Sequence, residues 1–176
     1  GRRWELDIAS FRIDQTNGSI TQIGSAPVQG EPLDVAIDRK GNYVLSYYYA
    51  QRTAAVHRIE NGAAVTPAVE WVMTALGAHD FQTDPSNRFA FVPHIADWGG
   101  RGANQIYQFK FDENTGHLTP NSPPLLESTE DLGPRQLCFH PFLDTVYSSN
   151  EQGSSVTTYR LDTGTGTLSA FQTISA

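Results

Sequence analysis

The sequence contains a single cysteine, Cys138, among its 176 residues. One cysteine cannot form an intramolecular disulfide, and it cannot supply the thiolate ligands of a cysteine-based zinc site. Cys138 lies between Leu137 and Phe139 in a short apolar run, so we expect it to be a small, buried hydrophobic residue. The chemistry of the protein is therefore expected to depend on other side chains.

Long apolar runs and helical periodicity are also missing from the sequence. No segment approaches the roughly 20 consecutive apolar residues that a membrane-spanning helix needs. No window shows a convincing apolar repeat with the helical period. The best helical candidate, residues 65–76, contains Pro67 and several β-branched residues, so we interpret it as a strand and a connection. These absences predict an all-β protein.

Charge is scarce, and one sign dominates it. Charged residues make up 18% of the chain, and 19 acidic against 12 basic residues give a net charge of −7. Such a balance argues against a nucleic acid or an acidic membrane surface as the main partner. Residues 1–5 include two arginines but no apolar segment follows them, so we expect no secretory signal peptide and a cytoplasmic location.

Repetition is what the sequence has in abundance. One motif runs aromatic, basic, apolar, Asp, a turn with Gly, apolar and then Thr or Ser. It occurs three times without gaps and a fourth time with one residue deleted. The copies begin 46, 52 and 50 residues apart, at Phe11, His57, Phe109 and Tyr159. Each copy is typical of a β-hairpin, because aromatic and β-branched residues flank a short loop rich in Asp, Asn and Gly.

A second repeated unit, a strand, a turn and another strand, precedes three of these hairpins. Together the two units give four strands in about 50 residues, which is typical of a β-propeller blade. We therefore predict one domain, residues 1–176, with about three and a half four-stranded antiparallel blades. The predicted parts are an outer half-blade and three blades, at residues 1–30, 31–73, 77–121 and 132–174. A propeller needs at least about four blades to close, so we expect missing C-terminal blades or self-association to complete the ring.

The repeat alignment also predicts which side chains share one mouth of the central channel. The first strand of a blade lines the channel, and equivalent positions at its start hold Leu33, His79 and Arg135. Equivalent positions at the end of the second strand hold Tyr48 and Tyr49, His94 and Ile95, and Asn150 and Glu151. The tyrosines could form an aromatic wall for a sugar ring or an ordinary strand end. Residues 98–102, which include Arg101, could form a flap over this mouth.

Several of these segments resemble the seven-bladed lactonase propellers. That family includes the propeller-type 6-phosphogluconolactonases and carboxy-cis,cis-muconate cyclase. The segments are residues 78–81 with Asp84 and Pro85, residues 133–136 with His140 and Pro141, and residues 149–151. The family has a His-containing strand start, a Gly-Pro-Arg-His run and an Asn-Glu-Leu run at these places, and Gln136 stands here for the His of the second run. The resemblance implies that this chain is the first-to-middle part of a seven-bladed propeller, and that further site residues come from later blades.

The resemblance implies a site for a small anionic lactone, a 6-phosphogluconolactone or a carboxymuconolactone. His79 and Glu151 would be the acid–base residues, and Arg135 would bind the anion. Gln136, His94 and Asn150 would be further substrate-binding residues. A guanidinium offers a planar fork of donors for phosphate or carboxylate, and attack by water needs a general base. This chemistry requires no metal and no cofactor.

Each of these residues also has a structural interpretation. His79 could cap a strand, and Arg135 could form an ion pair with Asp80 or Glu151. His140 occupies a turn position where the other copies have Asp, so we expect it to be structural. The sequence thus leaves two functions open: a lactonase-like enzyme that hydrolyses or forms a lactone, and a non-catalytic YVTN-type propeller that serves as a binding or scaffold module.

Overall fold

The computed structural model describes residues 6–96, 99 and 102–176. These residues form strands and irregular connections, and none of them is helical. No helix in this part of the chain is long and apolar enough to cross a membrane. The strands are β1 (Asp7–Ile13), β2 (Ile20–Pro27), β3 (Asp34–Ile37), β4 (Tyr43–Tyr48), β5 (Thr53–Glu60), β6 (Ala63–Ala64), β7 (Glu70–Met73), β8 (Gln82–Thr83), β9 (Phe89–His94), β10 (Gln105–Phe111), β11 (Leu118–Glu127), β12 (Pro134–Phe139), β13 (Thr145–Asn150), β14 (Ser155–Asp162) and β15 (Thr167–Ser175).

The strands form four antiparallel sheets in which sequence neighbours pair with one another. The first sheet contains β1 and β2 alone, and the others have the orders β3-β4-β5, β8-β9-β10-β11 and β12-β13-β14-β15. In the second sheet, β6 and β7 both pair with β5, at its two ends. Pro67 lies between them and has no N–H for the sheet, so the outer strand is divided. This arrangement confirms the predicted all-β architecture of antiparallel propeller blades.

The hydrophobic core lies between neighbouring sheets, and β9 shows how it is divided. All six residues of β9 are buried. Ala90 and Val92 belong to the core shared with the second sheet, whereas Phe89 and Phe91 belong to the core shared with the fourth. Side chains of a strand point alternately to its two faces, so the third sheet is packed on both sides.

The fourth sheet has one packed face and one open face. On β12, Leu137 and Phe139 contribute to the core, whereas Gln136 and Cys138 are exposed. An open cavity of about 450 Å³ borders this face and is lined in part by Gln136, Cys138 and Tyr147. The expectation that Cys138 is buried was therefore wrong. The run is apolar, but strand alternation turns Cys138 away from the neighbouring sheet.

A repeated turn joins the first two strands of each complete blade. Asp38 Oδ1 accepts hydrogen bonds from the backbone N–H groups of Asn42 and Tyr43, at 2.7 Å each. Asp84 does the same four and five residues ahead, at 2.9 and 2.8 Å. In the fourth sheet, Nδ1 of His140 accepts the N–H groups two and three residues ahead, at 3.1 and 3.0 Å. Asp38 and Asp84 use Oδ2 for the N–H two residues ahead. The imidazole shares this bond with them, in keeping with the structural role expected for His140.

Candidate functional site

Strand register brings the predicted site positions to one end of the three larger sheets. The start of the first strand pairs with the end of the second in each sheet, as Asp34 with Tyr47 and Pro134 with Asn150. In the third sheet, an isolated bridge joins Ala78 to His94. His79, Arg135 and Glu151 adjoin these pairs, so they lie at the same end of their sheets.

Arg135 and Glu151 form an ion pair at this end. Arg135 Nε lies 2.7 Å from Glu151 Oε2, and the two side chains are 44% and 30% exposed. The backbone N–H of Glu151 donates to Gly133 O at 2.8 Å, which holds the two segments together. The ion pair engages Nε only, so the two terminal guanidinium nitrogens have no partner among the described residues. Arg135 can therefore bind an anion without first breaking the pair.

His79 has one ring nitrogen engaged, and the other has no hydrogen-bond partner among the described residues. Its Nδ1 lies 3.1 Å from Gly77 O. A carbonyl oxygen can only accept, so Nδ1 carries the proton and Nε2 of the neutral ring keeps a lone pair. The ring of Tyr49 stands edge-on to the imidazole, with centroids 5.4 Å apart. His79 is only half-buried, so Nε2 suits a role as proton acceptor.

Tyr47 connects His79 with the charged groups around it. Its hydroxyl donates to His79 O at 2.8 Å. Burial, and then the negative charges of Asp34 and Asp80, raise the pKa of Tyr47, whereas the positive charge of Arg135 lowers it. The hydroxyl therefore stays protonated and donates at neutral pH.

Asp80 links the segment that carries His79 to the strand that carries Arg135. Its Oδ2 accepts from the backbone N–H of Leu137 at 2.8 Å, and its Oδ1 accepts from Phe81 N–H at 2.8 Å. Burial raises the pKa of Asp80 to about 6, although these hydrogen bonds act in the opposite direction. Leu137 lies two residues after Arg135 on β12. The Asp80 carboxylate thus helps to set the separation between His79 and Arg135.

The structure does not bring His94 and Asn150 to an open surface. His94 is fully buried, with Nδ1 donating to Val92 O at 2.9 Å and Nε2 accepting from Ala75 N–H at 3.3 Å. Burial lowers the pKa of His94 to about 4, so it stays neutral at physiological pH. Asn150 is 4% exposed, and its amide donates to hydroxyls of its own sheet. This geometry favours structural roles for both residues.

Two other predicted features remain, Gln136 and the flap of residues 98–102. Gln136 is exposed and lines the cavity on the open face of the fourth sheet, with Cys138. Of the predicted flap, Trp98, Gly100 and Arg101 fall outside the described residues.

The sequence patterns predict no site role for Asp80 or for Gln152, which follows Glu151. Asp80 follows His79 and Gln152 follows Glu151, and this adjacency is the only feature of the sequence that associates them with the candidate site. Nothing in a single sequence says whether a neighbour's side chain points into the fold or towards the site.

The family to which this chain belongs follows from its similarity to known proteins. Residues 2–176 match the family described as "Lactonase, 7-bladed beta-propeller". The chain belongs to this family. The predicted resemblance is thereby confirmed over nearly the whole sequence.

Curated members of the family are about twice as long as this chain. A 6-phosphogluconolactonase of Enterobacter sp. (strain 638) is 30% identical over 174 residues, which are 99% of this chain and 50% of that protein. One of Pectobacterium carotovorum subsp. carotovorum (strain PC1) is 28% identical over 176 residues, with 100% and 51% covered. The chain therefore spans about half the length of the curated relatives it matches.

Solved structures share the fold over the same span. A putative 6-phosphogluconolactonase from Bacteroides fragilis superposes with a TM-score of 0.81 at 20% identity, covering 97% of this chain and 50% of that one. The periplasmic gluconolactonase of Pseudomonas aeruginosa gives a TM-score of 0.81 at 19% identity, with 96% and 49% covered. These likenesses show that the four sheets are blades of a propeller.

Proposed function

We propose that the protein is a hydrolase for a small anionic sugar lactone, with 6-phosphogluconolactone as the first candidate substrate. The observation that carries the proposal is the pairing of a proton acceptor with an anion-binding group at one end of the blades. The acceptor is His79 Nε2, and the anion-binding group is the half-exposed guanidinium of Arg135. The names of the curated relatives support the same reaction class.

In the proposed reaction, a water molecule attacks the lactone carbonyl carbon while His79 Nε2 takes its proton. A tetrahedral intermediate forms, with negative charge on the former carbonyl oxygen. The bond between the carbonyl carbon and the ring oxygen then breaks, and His79 returns the proton to that oxygen. The products are a carboxylic acid and a free hydroxyl group, so one water is consumed. General base catalysis of this kind contributes about 10²–10⁴-fold.

Arg135 would bind the phosphate of the substrate or the charge that develops on the carbonyl oxygen. Its pairing with Glu151 suggests a revised role for that carboxylate. Glu151 Oε2 is engaged by Arg135 at 2.7 Å, so we assign Glu151 to orienting the guanidinium rather than to proton transfer. His79 is then the proposed acid–base residue.

The proposal predicts separable effects of two substitutions on lactone hydrolysis. His79→Gln keeps a polar side chain of similar size but removes the base, so kcat should fall by about 100-fold or more. Arg135→Ala should mainly raise KM, because it removes the anion-binding group. Both effects can be measured by titrating the acid released from 6-phosphogluconolactone.

His117→Gln is the matched control, because His117 lies at the outer hairpin and pairs with Glu70 at 2.9 Å. It should leave both constants unchanged. Activity of His79→Gln equal to that of His117→Gln would show that His79 is not the base. A folded wild-type protein that hydrolyses no lactone would contradict the proposed function.

The same assay tests the other predicted substrate, a carboxymuconolactone. Arg135 would serve a substrate carboxylate as well as a phosphate, so the substrates are distinguished by their relative kcat/KM. Consumption of neither lactone would favour the binding or scaffold module that the sequence left open.

A further inference from the structure

Gln152 joins the proposed site to the neighbouring blade. Its Nε2 donates to Glu151 Oε1 at 3.2 Å. Its Oε1 accepts from the backbone N–H of Ala96 at 3.0 Å. Ala96 follows β9 of the third sheet, whereas Gln152 follows β13 of the fourth. One carboxamide therefore bonds to the Glu151 carboxylate and to the backbone of the preceding blade at once.

Gly133 provides the space in which this carboxamide lies. A Cβ atom at Gly133 would overlap Gln152 Oε1. Gly133 also has a φ of +70°, a backbone conformation that residues with a side chain rarely adopt. The residue that starts the Gly-Pro-Arg run and the residue that follows Glu151 are thus packed directly against each other. This contact ties the segment bearing Arg135 to the segment bearing Glu151.

We propose that Gln152 is a positioning residue that fixes the Glu151 carboxylate, and through it the Arg135 guanidinium, in the orientation that receives the substrate anion. The inference rests on the proposed lactonase function for its substrate, but the contacts involved are independent of it. Gln152 itself touches no reacting atom.

The ion pair alone is a weak constraint, which is why a third residue matters. An exposed ion pair between flexible side chains contributes little and holds its geometry poorly, and Arg135 and Glu151 are 44% and 30% exposed. With Gln152 on Oε1 and Arg135 on Oε2, both oxygens of Glu151 are engaged and the carboxylate cannot rotate freely. The hydrogen bond from Ala96 N–H to Gln152 then fixes this orientation relative to the third sheet.

Gln152→Leu tests the proposal, because leucine has a similar volume and forms neither hydrogen bond. Leucine is also the residue that the Asn-Glu-Leu run of the resembled family has at this place, so the test asks what Gln152 adds in this chain. KM for 6-phosphogluconolactone should rise about tenfold, the equivalent of one hydrogen bond to a charged group. kcat should stay within about twofold, since His79 is untouched. Gln172→Leu, at an exposed position of β15, is the matched control and should change neither constant.

Gln152→Glu is a second variant that keeps an oxygen for the Ala96 N–H. It places a like charge beside Glu151, so it should raise KM at least as much as Gln152→Leu while the fold is retained. A purely structural role predicts the reverse for this variant, because the bond between the blades survives and KM would stay at the wild-type value.

Nuclear magnetic resonance provides a readout that needs no activity. The Arg135 Nε–H signal should be sharp and shifted in the wild type, because the ion pair with Glu151 orders the guanidinium. It should broaden in Gln152→Leu and stay unchanged in Gln172→Leu. An unchanged signal in Gln152→Leu would overturn the proposal whatever the substrate is.

Arg135→Ala, measured in parallel, separates failure of this inference from failure of the proposed function. If Arg135→Ala raises KM and Gln152→Leu does not, Gln152 is not a positioning residue and the lactonase proposal stands. If Arg135→Ala leaves KM unchanged, the proposed role of Arg135 in lactone binding is wrong, and the Arg135 Nε–H signal alone then decides whether Gln152 orders the guanidinium.

Discussion

At the scale of single residues, Asp80 shows two opposing forces on one carboxylate. Burial leaves it 6% exposed and raises its pKa from the ordinary 3.8 to about 6, while N–H groups of Leu137 and Phe81 favour its charged form. The difference between these values corresponds to about 3 kcal/mol against ionisation in the folded state. A charged Asp80 therefore lowers the free energy of unfolding at neutral pH. Its carboxylate also links two blades, through the hydrogen bond from Leu137 N–H.

The raised pKa of Asp80 predicts that this residue contributes less to the free energy of unfolding as the pH rises. A raised pKa in the folded state means that the fold binds more protons than the unfolded chain between about pH 4 and 6. The stabilisation from this group is therefore complete below about pH 4 and is lost as the pH rises through about 6. Asp80→Asn, which does not titrate, should cost more stability at pH 4 than at pH 7, by up to about 3 kcal/mol. Denaturant unfolding at several pH values measures this difference.

Asp131→Asn is the control for that series, because Asp131 is an exposed carboxylate. A cost of Asp80→Asn that is the same at every pH would contradict the raised pKa. The groups that act on Asp80 include the carboxylate of Asp34, which should be left intact in all variants.

The candidate site was predictable where a repeat made residues comparable. His79 and Arg135 hold equivalent places in the repeat, near the starts of successive first strands, and Glu151 follows the end of a second strand, so their common edge followed from the alignment. Gln152 and Asp80 were not predictable as positioning residues, because their roles depend on contacts with another blade. Sequence spacing within one blade carries no information about such contacts.

At the scale of single elements, the turn between the first two strands depends on one acceptor side chain. Two blades use both oxygens of an Asp, which accept backbone N–H groups two, four and five residues ahead. The fourth sheet uses the Nδ1 atom of His140, which accepts those two and three residues ahead. The acceptor satisfies donors that the short turn leaves without strand partners. Its chemical identity is secondary to its position, which is why an imidazole can replace a carboxylate here.

Two substitutions at His140 should therefore differ in their effect. His140→Ala leaves the N–H groups of Phe142 and Leu143 without this acceptor, so the free energy of unfolding should fall by about 1–2 kcal/mol. His140→Asp restores an oxygen acceptor as in the other turns and should stay within about 0.5 kcal/mol of the wild type. Chemical denaturation compares the three proteins. Equal losses for both variants would show that the turn needs the imidazole itself.

Most elements were predictable from the repeat, and the departures have local causes. The hairpin and strand–turn–strand units appear as expected, because alternating apolar residues and Gly-containing turns are local signals. The division of the outer strand of the second sheet into Ala63–Ala64 and Glu70–Met73 follows from the intervening Pro67. Cys138 was misplaced because its face depends on strand register and on which face has a neighbouring sheet, and residue type alone indicates neither.

At the scale of the whole molecule, polar links between blades supplement the apolar cores. Arg39 illustrates them: its Nε and Nη2 donate to Thr83 O at 3.2 and 2.9 Å, and its guanidinium lies over the Phe139 ring, 5.4 Å from the centroid. It therefore contacts the first strands of the next two blades. With the Asp80–Leu137 bond at 2.8 Å, these links fix the angle between blades, on which the geometry of the proposed site depends.

Cys138 on the open face of the fourth sheet can report whether another chain covers that face. Cys138 is the sole thiol in the sequence and is exposed on that face, so a disulfide reagent such as dithiobis(nitrobenzoic acid) can modify only one site. In the 176-residue chain, we expect Cys138 to react within about threefold of its rate in denaturant, since reactivity follows access of the thiolate. Protection of tenfold or more that disappears on dilution would show instead that a second copy covers the face. The same thiol accepts a fluorophore or spin label without engineering, so the coverage of this blade can be followed in solution by a single covalent probe.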